Sequence, residues 1–194
     1  HGEAMDIEYH LGMIGQHLAI NSLAVVQALR ELGCDLKVAL KPLTMLTPPV
    51  GRGARFKLAL PDGEALLIDE SYNANPASMA AAIMTLCELQ DKAINRRIVV
   101  LGDMLELGPE SEELHRTVLE DIAKRMFRFG SIDLMFACGP MFQRVVAERD
   151  PVDTWIAKPT SADLREPLLA ALRPGDVVMI KGSLGSRMGL LVDA

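Results

Sequence analysis

RRIVVLGDMLELGPESEELHRTVLEDIAKRMF, residues 96 to 127, holds the pattern that decides the fold. Ile98, Val99, Val100 and Leu101 run without polar alternation, as in a strand buried on both faces. Gly102 and Asp103 break the run, and a polar segment containing Gly108 and Pro109 follows. The spacing then predicts a helix from about Glu110 to Phe127, with Leu114, Val118, Ile122 and Met126 on its apolar face. DLMFACG at 133 to 139 supplies the next buried strand, which completes a βαβ unit.

The alternation recurs in both directions. RFKLAL (55–60) and EALLID (64–69) read as strands joined by the PDG turn at 61 to 63. A helix is predicted from Pro76 to Leu89, with Met79, Ile83 and Leu86 at helical spacing. Downstream come a helix over Met141 to Glu148, a short strand near Thr154 to Ala157, a helix over Asp163 to Leu172 and a last strand in PGDVVMIKG at 174 to 182. The expected class is α/β, a Rossmann-like, mostly parallel sheet with helices on both faces. Upstream, residues 1 to 14 read as a strand end and turn. NSLAVVQALREL (21–32) reads as a packed helix that Gly33 can end, and Leu36 to Leu43 as a shorter one. TPPVGRG at 47 to 53 reads as a linker, which places a boundary near residue 48 and divides the chain into 1–48 and 49–194. The chain opens at His1 without an initiator Met, as a piece of a longer protein would.

Composition narrows the function. Hydrophobic residues are 49% and aromatics 4%, so Leu, Val, Ala and 11 Met must fill the core. A net charge of −6 without a basic run argues against nucleic acid as a partner. No apolar run reaches the roughly 20 residues of a membrane span, so no membrane insertion is expected. Cys34, Cys87 and Cys138 are far apart and form no CxxC pair, which suits reduced thiols in a cytoplasmic protein.

In a parallel sheet, ligands gather beyond the carboxyl ends of the strands. Three loops of distinctive chemistry fall there: DESYNANP (69–76), GDMLELGPE (102–110) and KGSLGSRMG (181–189). Asn75 followed by Pro76 is a good helix start, which accounts for Asn75 without a ligand. Asp69, Glu70, Tyr72 and Asn73 need more, and a carboxylate at a strand end can accept bonds from adjacent ribose hydroxyls. Asp103 and Glu106 fit either a turn or a site, whereas Glu110, Glu112 and Glu113 suit a helix N-terminus. The glycines, hydroxyls, Lys181 and Arg187 of the last loop could cradle an anion, although the GxxxxGK[ST] order of a P-loop is absent. His17 and Asn21 stand one helical turn apart, and His17 has no second metal ligand nearby, so no metal site is expected.

GQHLAINSLAVVQAL (15–29), GRGARF (51–56), IDESYNANPASM (68–79), VVLGDMLELG (99–108) and VMIKGSLGSRMG (178–189) occur in the order and spacing of the Mur ligases. The resemblance spans almost the whole chain, and YNANP with LGDMLELG is most similar to the branch that adds D-alanyl-D-alanine. It implies the end of a central ATPase domain in residues 1–48 and the C-terminal domain in 49–194. It also implies bacterial, cytoplasmic, ATP-dependent amide formation on UDP-N-acetylmuramoyl-tripeptide by a monomer. ATP and Mg²⁺ are the implied cofactors, with the metal ligands and phosphate-binding loop upstream of this chain, so the chain alone should not turn over.

Asn21 matches the second Asn of the family's HNxxN pattern, which contacts adenine, while Leu18 stands where the first Asn would be. Interval favours Arg55 and the GR dipeptide favours Arg52 as the nucleotide arginine, and both are kept. Glu70 aligns with the ribose acid, usually Asp in the family. The dipeptide is expected against Asn73, Asn75, Lys181 and Ser183, with Ser186 and Arg187 beside them. Two other classes compete: a stand-alone nucleotide-binding or receiver-like module, and a dinucleotide oxidoreductase domain, the latter lacking any GxGxxG after a strand.

Overall fold

Strands that are apolar on both faces have to lie between layers of helices. The computed structural model, which describes residues 7–13, 16–129, 131–151 and 153–194, has that arrangement. The chain divides into two compact units, His1–Pro48 and Pro49–Ala194.

The first unit is helical. Helix α1 (Gln16–Glu31) begins more than a turn earlier than Asn21, the expected start. It ends as expected at Gly33, whose φ of 69° suits glycine. There the Gly33 amide donates to Arg30 O at 3.0 Å and the Cys34 amide to Leu29 O at 3.0 Å, a Schellman ending. Helix α2 (Leu36–Ala39) is capped by Asp35, and a 3-10 turn over Lys41–Met45 replaces the rest of the expected helix. The strand end expected in residues 1 to 14 falls partly outside the described residues, and residues 7–13 form no strand. The His17 side chain also lies outside the described residues.

The second unit carries one six-stranded sheet: β1 (Ala54–Leu60), β2 (Gly63–Glu70), β3 (Arg96–Gly102), β4 (Leu134–Cys138), β5 (Trp155–Lys158) and β6 (Asp176–Lys181). Their order is β1-β2-β6-β3-β4-β5. β1 and β2 form an antiparallel hairpin and every other pair is parallel. The helices are α3 (Pro76–Glu88), α4 (Ser111–Ala123), α5 (Pro140–Ala147), α6 (Ser161–Ala171) and α7 (Gly189–Val192).

One face of the sheet packs Met79, Ile83 and Leu86 of α3, Leu119 and Ile122 of α4 and Phe142 of α5 against Val99, Leu101 and Met179. The other packs Leu164 and Leu168 of α6 and Met188 and Leu191 beside α7 against Ile98, Val100 and Ile180. The mostly parallel α/β sheet with helices on both faces is therefore present.

Two local expectations change. α4 begins only after a 3-10 turn over Gly108–Glu110; Val118, Ile122 and Met126 are buried as expected, Leu114 is half-buried against the same core, and His115 and Leu119 join them. Beyond Ala123 the helix widens into a π segment over Lys124–Arg128. At the amino ends of β3 and β6, Arg96 grips buried Asp176 with two bonds of 2.8 and 2.7 Å. That end of the sheet is tied by charge, and the opposite end is left to the three loops. Among the described residues, no helix is long and apolar enough to cross a membrane.

Candidate functional site

β2, β3 and β6 point the same way, so their carboxyl ends deliver the three polar loops to one edge. The first is shaped by Asp69, which is 1% exposed. Its carboxylate accepts the Gly51 amide at 2.8 Å and the Ser71 amide at 3.0 Å. Gly51 has φ 75°, and a Cβ there would come within 2.7 Å of the Tyr72 side chain. Gly51 to Gly53, read from the sequence as linker, is therefore a turn clamped onto the end of β2. Asp69 is a scaffold acid, since both of its oxygens are committed to backbone amides.

Glu70 and Lys181 stand side by side in register on β2 and β6. Lys181 Nζ donates to Glu70 Oε2 at 3.2 Å and to the Asn73 carbonyl at 3.0 Å. The Lys181 side chain is 3% exposed and that of Glu70 20%. Burial pushes the Lys181 pKa below its ordinary 10.5, Glu70 opposes that shift, and nearby Arg52 reinforces it. Two residues expected to serve different ligands are thus each other's partner. One ammonium hydrogen and Glu70 Oε1 remain without a partner among the described residues.

Arg52 is exposed and lies 4.6 Å over the Tyr72 ring, a cation–π contact. Arg55 is exposed on β1 opposite Ile68, on the same face of the sheet as Glu70. Asn73 turns its side-chain oxygen back to the Ala74 amide at 2.9 Å. Asn75 caps α3 as the Asn-Pro pair predicts, in a reciprocal box with Ser78. Both asparagines are exposed, and their side-chain NH₂ groups have no hydrogen-bond partner among the described residues.

Ser183 joins all three loops. Its hydroxyl donates to Ala74 O at 3.3 Å and accepts the Leu105 amide at 2.9 Å. Its own amide donates to Asp103 O at 3.3 Å, and the Ser186 hydroxyl donates to Ser183 O at 2.6 Å. Arg187 takes a left-handed φ of 55°, with its carbonyl anchored by the Ser161 hydroxyl at 3.1 Å and its side chain exposed. Asn21 belongs to the first unit, on an exposed position of α1.

Sequence reasoning missed His115. It is fully buried, and its Nε2 accepts the Met104 amide at 2.9 Å. Nδ1 lies 2.6 Å from Ser111 O, so the proton sits on Nδ1 and the ring is neutral. Asp103 caps α5 from outside that helix, accepting the Met141 and Phe142 amides at 2.9 Å each. A Cβ on Gly139 would meet that carboxylate at 2.4 Å. The available signal was a His spaced i, i+3, i+4, i+7 with Val118, Leu119 and Ile122, polar on an otherwise apolar face. Glu106 is exposed with φ 63°. Among the described residues, no three His, Cys, Asp or Glu side chains gather as a metal site.

The chain is similar to known proteins. A model of the Mur ligase, glutamate ligase domain matches residues 54–184. The Bacillus subtilis UDP-N-acetylmuramoyl-tripeptide--D-alanyl-D-alanine ligase is 29% identical over 188 residues, covering 95% of this chain and 39% of that protein. The Treponema pallidum enzyme of the same name is 35% identical over 173 residues, 87% of this chain and 35% of that protein. A crystal structure of MurF from Acinetobacter baumannii superposes with a TM-score of 0.78 at 26% identity, over 95% of this chain and 38% of that one. The chain thus spans about two-fifths of the length of such relatives. With the domain model covering most of the second unit, the chain belongs to the Mur ligase family.

Proposed function

We propose that this chain is the acceptor-binding part, with some of the nucleotide-binding surface, of an ATP-dependent ligase. The enzyme joins D-alanyl-D-alanine to UDP-N-acetylmuramoyl-tripeptide in peptidoglycan precursor synthesis. The observation that carries this reading is the similarity to ligases of that name over nearly all of the chain, including the three loops that Ser183 ties together. In this reading residues 1–48 end the central ATP-binding domain, 49–194 form the C-terminal domain, and the enzyme works as a cytoplasmic monomer.

A free carboxylate is a poor electrophile. The γ-phosphoryl group of ATP passes to the tripeptide's terminal carboxylate and ADP leaves; the dipeptide amine then attacks the acyl phosphate's carbonyl carbon, loses a proton to solvent, and the tetrahedral intermediate expels inorganic phosphate. Asn21 is assigned to adenine, Arg52 or Arg55 to the nucleotide, and Glu70 to ribose through Oε1, the oxygen that Lys181 leaves open. Asn73, Asn75, Lys181, Ser183, Ser186 and Arg187 are assigned to the dipeptide. Their geometry divides that work. The Asn73 and Asn75 amides and Arg187 face outward as donors, whereas Ser183 and Ser186 hold the loop in place.

Mg²⁺ accompanies ATP in such chemistry, but the described residues do not fit a metal cage. Asp69 and Asp103 each accept two backbone amides, and no three His, Cys, Asp or Glu side chains gather among the described residues. That engagement with the backbone disfavours the receiver-like alternative, which needs an open carboxylate to accept a phosphoryl group.

The test restores the full-length enzyme and measures phosphate release with ATP, UDP-muramoyl-tripeptide and D-alanyl-D-alanine. Release that requires all three is expected. Release without the dipeptide, or none with all three, refutes the reading.

A further inference from the structure

Aromatic residues are scarce in this chain, at 4%, and Phe136 and Phe142 are buried in the core of the second unit. Phe127 and Phe129, by contrast, are 61% and 67% exposed. They belong to KRMFRF, residues 124 to 129, where the helix widens into its π segment. Such segments are rare and frequently mark functional places.

The turn is held from beneath. Met126 is buried, and the Trp155 indole N–H donates to its sulfur at 3.0 Å. Phe127 leans on the Trp155 ring, with centroids 5.9 Å apart. Ser131 closes the turn, its amide donating to Arg125 O at 2.9 Å and its hydroxyl to the same oxygen at 3.3 Å. Asp133 and Arg97 then exchange two bonds of 2.8 Å, which pin the segment to the amino end of β3. Two large apolar rings are thus presented to solvent on a fixed base, at the end of the sheet opposite the three polar loops.

Residues 124 to 129 include three cations and no acid, in a chain whose net charge is −6. Arg125 is answered by Asp121 at 2.8 Å, and Arg149, over the Trp155 ring at 5.8 Å, by Glu120 at 3.6 Å. Lys124 and Arg128 are exposed and make no ion pair among the described residues, and Arg128 lies 5.7 Å over the Phe129 ring. The exposed acids Asp150 and Asp153 belong to the segment leading into β5. Interfaces between proteins are depleted in Lys, and their cores in charge generally. Exposed rings interleaved with cations suit instead the boundary of an anionic bilayer, where the rings enter the acyl region and the cations meet lipid phosphates.

We propose that residues 124–129 dock reversibly on an anionic membrane surface, with Phe127 and Phe129 entering the interface and Lys124 and Arg128 on the phosphates. The contact is peripheral and spans nothing. It uses the amino end of the sheet, so the carboxyl edge stays open to its ligands. The inference goes beyond the ligase reading and does not depend on it.

The experiment sediments the full-length protein with vesicles of phosphatidylcholine alone and of an equal mixture with phosphatidylglycerol. Wild type should bind the mixed vesicles and not the neutral ones, and binding should weaken as salt is raised. Each cation near an anionic surface contributes about fivefold, so Lys124→Gln with Arg128→Gln should lower the partition coefficient about 25-fold. Phe127→Ser with Phe129→Ser should lower it about tenfold or more. Phe56→Ser, which alters an exposed ring on β1, should bind as wild type. The cation variant decides alone if loss of the Phe127–Trp155 contact disturbs the fold. Wild type that leaves the mixed vesicles unbound overturns the proposal, as does equal binding to neutral vesicles or a cation variant that binds as wild type. Binding to membranes that carry their proteins but not to lipid alone also overturns it, in favour of a protein partner.

Discussion

Replacing Glu70 by Gln removes the only carboxylate among the described residues that touches the buried Lys181 ammonium, and it keeps the side chain's size. The charge-assisted bond is 3.2 Å long, with the lysine side chain 3% and the glutamate 20% exposed. Hydrogen bonds to charged groups contribute about 1.5–3 kcal/mol, and the exposure of Glu70 favours the lower half of that range. We expect a loss of about 2 kcal/mol at neutral pH.

The sign of the pH dependence comes from Lys181. Its folded pKa lies below 10.5, so the unfolded chain binds more protons between the two values and stability rises with pH across that window. In the variant the opposing pull of Glu70 is gone, so the folded pKa falls further and the rise begins at lower pH. Above the window Lys181 is neutral in both proteins, and the difference between them shrinks. Urea unfolding followed by the fluorescence of the single Trp, Trp155 of the second unit, at neutral pH and at about pH 11 measures both quantities. A variant as stable as wild type at neutral pH, or a gap that does not narrow on raising the pH, refutes the pairing as an energetic contact.

Other contacts are testable in the same way. Ser183→Ala frees the Leu105 amide and the Ala74 carbonyl, so about 1–3 kcal/mol of stability should be lost, with faster hydrogen exchange at Leu105. Exchange at Leu105 as slow as in wild type would contradict the role of the hydroxyl as a hub. His115→Gln can still offer an acceptor to Met104, whereas His115→Met fills the same space without one. The Met variant should therefore be about 1–2 kcal/mol less stable than the Gln variant in urea, and equal midpoints would refute the acceptor role. Asp176→Ala strips the partner from Arg96 and should cost on the order of 3 kcal/mol, read as a lower unfolding midpoint.

The strands were legible because burial on both faces leaves unbroken apolar runs, and IVVL and DVVMI are such runs. The position of β6 between β2 and β3 was not, because no local pattern encodes which parallel neighbour a strand takes. The face of α4 was legible, since Leu114, Val118, Ile122 and Met126 all pack on one core cluster. His115 was not, because nothing in the local pattern shows that its ring accepts the Met104 amide.

The loops themselves could be found from composition, since acids, amides and hydroxyls crowd three strand ends. The sequence could not show which of those groups already answer one another. Glu70 and Lys181 are 111 residues apart, Ser183 and Ala74 are 109, and only the sheet order brings each pair together. Counting donors and acceptors then separates the scaffold from the open groups. Asp69, Asp103 and His115 have both acceptor or ring positions filled, and Ser183 has a bond on each side of its oxygen. The Asn73 and Asn75 amides, one Lys181 ammonium hydrogen, one oxygen of Glu70 and the Arg187 guanidinium are left over among the described residues. They are four donors and one acceptor at the same ends of the sheet. A ligand with a carboxylate and a vicinal diol supplies what that remainder lacks.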